Sequence, residues 1–357
     1  MNKLLEEDFK YISDNSSIPW DLLNGKTILI TGATGFLGSL LIRFFSYLNN
    51  VSHRNIKLIA LVRNTEKARR LLGDNIILIQ GDIRNIPQIP FDINFIIHCA
   101  AETDSRKMIE NPVEVSEGIV LGTINILKLA YQKGIESAVY VSSMEVYGLM
   151  PDKTDKVDEN DCGIIDIMNA RSCYPMGKRM AENLCFNYFY QYGLPVKIAR
   201  LAQTFGAGIL ETDNRVFAQF ARSVINKKNI VLHTDGSSIG NYCYSADAIL
   251  GLILILLNGT NGQAYNVVNE ESTMTIRQMA ELVATRVAGG SIAVKYEIPE
   301  TNIYGYAIPS QNKLSSDKLR SLGWVPMYGM EDMYIRMIGY LSDIEHKQLN
   351  DYIDINR

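Results

Sequence analysis

Six short apolar runs, rich in Ile, Val and Leu, recur through the first two hundred residues of the 357-residue chain and constrain its fold more than any other feature. They are TILIT (Thr27–Thr31), KLIALV (Lys57–Val62), NIILI (Asn75–Ile79), NFIIHCA (Asn94–Ala100), SAVYVSS (Ser137–Ser143) and VKIARLA (Val196–Ala202). Runs that are apolar at nearly every position, rather than at alternate ones, read as strands covered on both faces. Stretches with a helical period lie between them, such as Leu37–Leu48, Val113–Lys133 and Met176–Tyr192. Strand and helix in alternation predict an α/β fold, a Rossmann-type doubly wound parallel sheet with its ligand crevice at the C-terminal strand edge. Residues 25–202 are the expected dinucleotide-binding domain, completed by about 241–268. Residues 203–240 and 269–345, where the alternation breaks down, are the expected smaller substrate-binding lobe. Residues 1–24 read as a helical extension that ends at Pro19–Trp20.

Immediately after the first run comes TGATGFLG. Glycines here permit a tight turn, a close approach of backbone to pyrophosphate, and close packing of the next helix, whose free amides face the anion. Gly32, Gly35, Phe36, Leu37 and Gly38 are therefore the expected cofactor cradle. The second run ends in Arg63, where a site selecting NAD usually carries an acidic residue for the ribose hydroxyls. An arginine there suits a 2′-phosphate, so NADP(H) is favoured over NAD(H); the plain alternative is a solvated surface charge. Asp82, after the third run, is placed to accept from an adenine amine, with Ile83 beside it. Ala100 and Ala101 are small enough to let the cofactor lie flat.

Ser143 closes the fifth run, and Tyr174 and Lys178 stand four apart in CYPMGKRMAE, on one helical face. A tyrosine acting as a base must fall from about 10 toward 7, worth roughly 4 kcal/mol, and a neighbouring ammonium supplies part of that field. A serine at a strand's C-terminal end can hydrogen-bond the reacting oxygen. A Tyr-x-x-x-Lys spacing is common by chance; glycine turn, serine strand end and Tyr–Lys helix in this order are not. A non-catalytic dinucleotide sensor, the reading from another class, would be expected to have lost Tyr or Lys.

With these motifs the chain resembles the extended short-chain dehydrogenase/reductases, the NAD-dependent epimerase/dehydratase family, over about Lys26 to Trp324. GTINIL with Asn125, Arg200, Asp247 and YNVVN around Asn266 add to the resemblance. It implies an enzyme that transfers hydride to or from a nucleotide-diphosphate sugar. Tyr174 is then the base, Lys178 lowers its pKa and binds the nicotinamide ribose, and Ser143 orients the sugar oxygen. It also implies a homodimer through the helices carrying Asn125 and Tyr174. Within the family, RSCYPMGKRMAE, GILETDNRVFAQF and SSMEVYG look most like UDP-glucuronate decarboxylases, which carry a Glu at the position of Glu145. Met144 breaks the Asp–Glu pair of the dehydratases. Thr103, Gln203 and Arg215 are the substrate-binding candidates. The usual Asn is Gln203, and the usual Arg of the DGxxxR stretch, a grip on the diphosphate or a group near the decarboxylated carboxylate, is Gly240. An epimerase or ketoreductase is therefore the expected enzyme, with a decarboxylase-like one as the alternative.

Composition narrows the remainder. A net charge of −4 argues against a nucleic-acid binder, which needs surplus Lys and Arg. The longest apolar run, around Ile249–Leu257, is too short for a bilayer and reads as a buried helix. Cys99, Cys162, Cys173, Cys185 and Cys243 show neither metal-ligand nor disulfide spacing, so buried reduced thiols, no metal and a cytoplasmic location are expected.

Overall fold

The computed structural model describes residues 2–150, 155–299 and 310–355, with side chains described to residue 344. Along the chain, helix α1 (Lys3–Ser13) precedes β1 (Thr27–Thr31), α2 (Phe36–Ser52), β2 (Lys57–Val62), α3 (Thr65–Leu72), β3 (Ile77–Gln80) and β4 (Phe95–His98). Then follow α4 (Ser105–Glu110), α5 (Pro112–Lys133), β5 (Ser137–Ser143), α6 (Cys173–Tyr192), β6 (Val196–Leu201) and β7 (Gln203–Phe205). The last third contains α7 (Val216–Ile225), β8 (Ile230–Leu232), β9 (Ile239–Tyr244), α8 (Ser245–Asn258), β10 (Ala264–Val267) and β11 (Asn269–Thr275). It closes with α9 (Ile276–Leu282), β12 (Val294–Tyr296), α10 (Asp317–Arg320) and α11 (Met330–Ile355). Positions 300–309 of the expected second lobe lie outside the described residues.

Seven strands form one parallel sheet in the order β10-β6-β5-β4-β1-β2-β3. The order reverses beside β1, between its neighbours β4 and β2, and that switch point opens the crevice expected for a ligand. β1, β2 and β5 coincide with the apolar runs, and β1 is buried throughout. β3 begins two residues later than its run and is only half-buried, because it is the sheet's edge. Of residues 241–268, β10 joins this sheet, while β9 pairs with β7 and β11 in a separate three-stranded sheet.

The apolar run at Ile249–Leu257 lies in α8, buried from Ser245 through Leu256. No helix among the described residues is long and apolar enough to cross a membrane. α1 lays Leu5, Phe9 and Ile12, spaced to share one face, into the main core, and Asp8 is buried beside them. The thiols depart from expectation: Cys185 and Cys243 are buried, Cys99 and Cys173 partly so, and Cys162 is exposed on a surface loop.

Candidate active site

The cradle is built by contacts that only glycine allows. Gly32 has φ +66°, and a Cβ on it would lie 2.8 Å from the Ala100 nitrogen; on Gly38 it would lie 2.2 Å from the Gly32 oxygen. β1, β4 and the start of α2 are thereby pressed together. Gly35 caps α2 without a capping side chain, so the amides of the first turn, Phe36 to Gly38, are free of side-chain partners and aimed as an anion site requires. Thr31 Oγ1 accepts from the Ala100 N–H at 3.2 Å and meets His98 Nδ1 at 2.6 Å, tying the two strand ends across the crevice. Ala100 and Ala101 line the exit of β4, partly exposed. This arrangement fits the pyrophosphate of a dinucleotide.

Arg63 follows directly after β2, and Asp82 lies in the turn after β3. Arg63 is exposed, and its charge helps hold the Asp82 carboxyl below its usual range, after the larger effect of the hydrogen bond from Arg84. Asp82 accepts from the Arg84 backbone N–H at 2.8 Å and from its guanidinium at 2.9 and 3.1 Å. Asn125 of α5 donates to the carbonyls of Ile83 and Arg84, fixing this turn.

On α6, Tyr174 and Lys178 both face inward, as the spacing predicts, and both are buried. Lys178 Nζ donates to the Val141 carbonyl at 2.7 Å and lies 5.7 Å from the centre of the Tyr174 ring. Burial lowers the Lys178 pKa to about 8. Burial raises the Tyr174 phenol well above 10, with Glu145 adding to the rise and Ser143, Arg171 and Arg215 opposing it. The chain by itself therefore holds Tyr174 as a phenol, against the fall toward neutrality that a base needs. Ser143 ends β5, where its Oγ accepts from the Glu145 N–H at 3.2 Å.

Glu145 is gripped by Arg171 in a two-point pair, 2.8 and 2.9 Å. Arg171 stands in the RSCY motif but was not singled out by sequence reasoning. The pair joins residues 26 apart in the sequence, and only the position three before Tyr174 could have drawn attention to it. Arg179, also missed, donates to the carbonyls of Val146, Tyr147 and Gly163 and locks the segment after Ser143. Of the substrate candidates, Gln203 opens β7 opposite Tyr242, and Thr103 is exposed with its N–H donated to Glu102. Arg215 precedes α7, forked onto Asp213 and 4.6 Å over the Phe217 ring. Its charge reaches Tyr174.

Glycine cradle, buried tyrosine–lysine pair and strand-end serine define a dinucleotide-binding α/β enzyme. Residues 28–269 match the model of the NAD dependent epimerase/dehydratase family, and the chain belongs to that family. It is 29% identical over 336 residues to UDP-glucuronic acid decarboxylase 1 of Danio rerio, covering 92% of this chain and 76% of the relative. Among solved structures, an epimerase from Methanothermobacter thermautotrophicus is similar with a TM-score of 0.75 at 20% identity, covering 96% of both chains. UDP-glucuronic acid 4-epimerase from Bacillus cereus, in complex with UDP-glucuronic acid and NAD, matches with a TM-score of 0.72 at 19% identity, over 89% of this chain and 99% of that one.

Proposed function

We propose that this chain is a nicotinamide-dependent epimerase or ketoreductase acting on the sugar of a nucleotide-diphosphate sugar. The observation that carries the reading is the meeting of Tyr174, Lys178 and Ser143 at the strand edge that also holds the glycine cradle. A bound nicotinamide supplies the hydride acceptor or donor. Tyr174 exchanges a proton with the sugar oxygen, and the Ser143 hydroxyl hydrogen-bonds that oxygen. Lys178, still largely protonated at pH 7 with a pKa of about 8, holds the positive field behind the phenol. Because burial favours the phenol, the chain is poised to protonate a carbonyl oxygen, the step a keto sugar requires on reduction. Oxidation of a hydroxyl requires the phenol to lose its proton first, which the positive charges of Arg171 and Arg215 assist. In the family's terms, NADP(H) is the favoured cofactor because Arg63 replaces an acidic residue. Two copies are proposed to pair through α5 and α6, whose outer faces expose Val113, Leu121, Met180 and Tyr190.

A second reading, decarboxylation of UDP-glucuronate, is favoured by the 29% identity to a decarboxylase and by Glu145. Gly240 opposes it, standing where those enzymes carry an arginine. Mass spectrometry of the purified protein with a panel of nucleotide sugars and both cofactors separates the readings. The expected product is a sugar isomer or a reduced keto sugar, with no carbon dioxide released from UDP-glucuronate. Stoichiometric carbon dioxide with a UDP-pentose restores the decarboxylase reading.

A further inference from the structure

The Tyr174–Lys178 pair stands beside a buried ion pair that the proposed chemistry does not use. Ser142 of β5 and Arg200 of β6 are register partners, one position inside the strand end that carries Ser143, and both bind Glu182 of α6. The Ser142 hydroxyl donates to Glu182 Oε1 at 2.5 Å, and the Arg200 guanidinium donates to the carboxylate at 2.7 and 3.1 Å. Arg200 also donates to Tyr147 Oη at 3.0 Å and to the Glu159 carbonyl at 2.9 Å, which fixes its fork. Glu182 lies four positions after Lys178, on the same inward face of α6, and both side chains are buried. Lys178 uses one N–H on the Val141 carbonyl, and its ammonium lies 4.7 Å from the centre of the Tyr140 ring.

We infer that Glu182 is a positioning residue: clamped between Ser142 and Arg200, it fixes a negative charge one helical turn from Lys178 and keeps that lysine an ammonium in the buried site. The inference rests on the Tyr174–Lys178 chemistry proposed above and deepens it. Burial drives the Lys178 pKa down, and Cys99, Glu182 and Cys185 oppose the fall. Burial pushes the Cys99 thiol up to about 12 and raises the Cys185 thiol as well, so both are uncharged at pH 8. Burial also raises the phenols of Tyr140 and Tyr174 well above 10, and burial with the Lys178 charge pushes His98 down to about 3. Glu182 is thus the anion among the groups that face the lysine. Lys178 is anchored on β5 while Arg200 belongs to β6, the next strand, so the pair presents its carboxylate rather than its guanidinium to the ammonium.

The test titrates Lys178 in the full chain without substrate. Lysine labelled with carbon-13 at Cε reports its own ionisation by NMR, and the Lys178 signal is the one lost in Lys178→Met. The wild-type midpoint is expected at about 8. Glu182→Gln leaves the Arg200 charge uncompensated, and its midpoint is expected to fall by about one pH unit or more. Glu182→Gln combined with Arg200→Met is expected to fall less. An unchanged or raised midpoint in Glu182→Gln overturns the inference, since a merely structural Glu182 would move the Tm and leave the titration in place. If the unpaired guanidinium keeps Glu182→Gln from folding, the double variant decides: a midpoint below the wild type supports the inference, and an equal one overturns it. Where the wild type turns over a nucleotide sugar, its activity is expected to fall as pH rises through the Lys178 midpoint, and in Glu182→Gln to fall at correspondingly lower pH. An alkaline limb that does not move overturns the inference. A wild type that turns over no nucleotide sugar overturns that reading instead and leaves the lysine titration to decide the inference alone.

Discussion

Tyr174 and Lys178 are each pushed toward neutrality by burial, the phenol upward and the ammonium downward. Tyr174→Phe removes the only proton of that phenol without changing the ring, so turnover should vanish while thermal melting stays near wild type. Lys178→Met should do the same. Wild-type-like rates in the phenylalanine variant would remove Tyr174 from the chemistry. Ser143→Ala should cost about a hundredfold in kcat, the usual loss for one positioned donor, and a change below about threefold would leave Ser143 a structural role. Arg63 carries a separate prediction: binding titrations should favour NADP(H), and Arg63→Asp should reverse the preference. Equal wild-type affinities would return Arg63 to an ordinary solvated charge. The Tyr–Lys pair was legible in the sequence because four positions on a helix share a face. The Glu145–Arg171 pair was not, because no local period relates residues 26 positions apart.

At the scale of elements, α1 is the part whose role the sequence left unread. Its helical character was visible; its polar anchors were not, since their partners lie hundreds of residues away. Asp8 accepts from Tyr244 Oη at 2.7 Å and from Arg336 of α11 at 2.7 Å. Tyr11 Oη donates to Asp247 of α8 at 3.3 Å, and Asp247 also accepts the N–H of Met327 at 3.0 Å. Burial raises the Asp8 pKa to about 6, against the pull of Arg336, and that of Asp247 to about 7. Both values lie above the unfolded carboxyl near 4, so the folded chain keeps protons that the unfolded chain releases. Stability from these two groups is therefore complete below about pH 4 and is lost as pH rises through about 6 and 7. Asp247→Asn retains an acceptor for the Met327 N–H and abolishes one titration. Its Tm should fall less steeply than that of the wild type between pH 4 and 8, as followed by circular dichroism. Parallel slopes in the two proteins would show that Asp247 ionises normally.

For the whole molecule, the central sheet was legible because its strands are covered on both faces and therefore apolar at nearly every position. The three-stranded sheet was not, because β7 is three residues long and β9 carries Gly, Asn, Cys and three aromatic or aliphatic positions without a clean period. The cradle was legible from three glycines, but the necessity of Gly32 comes from Ala100, a neighbour that spacing alone does not reveal. The proposed pairing through α5 and α6 makes its own prediction: Met180→Asp should convert a dimer, seen by light scattering, into a monomer. A wild type that is monomeric at micromolar concentration would remove that interface. The clasp between Asp8 and Arg336 also bears on how the chain is made, since 328 residues separate its two halves. At about 5–20 residues per second, roughly 15 to 65 s pass between the synthesis of one and of the other. Phe9 can meet Phe44 of α2 early in that interval, but the face of α1 that packs on α8 and α11 must wait, so the newborn chain, rather than the finished protein, is where a holding chaperone has something to grasp.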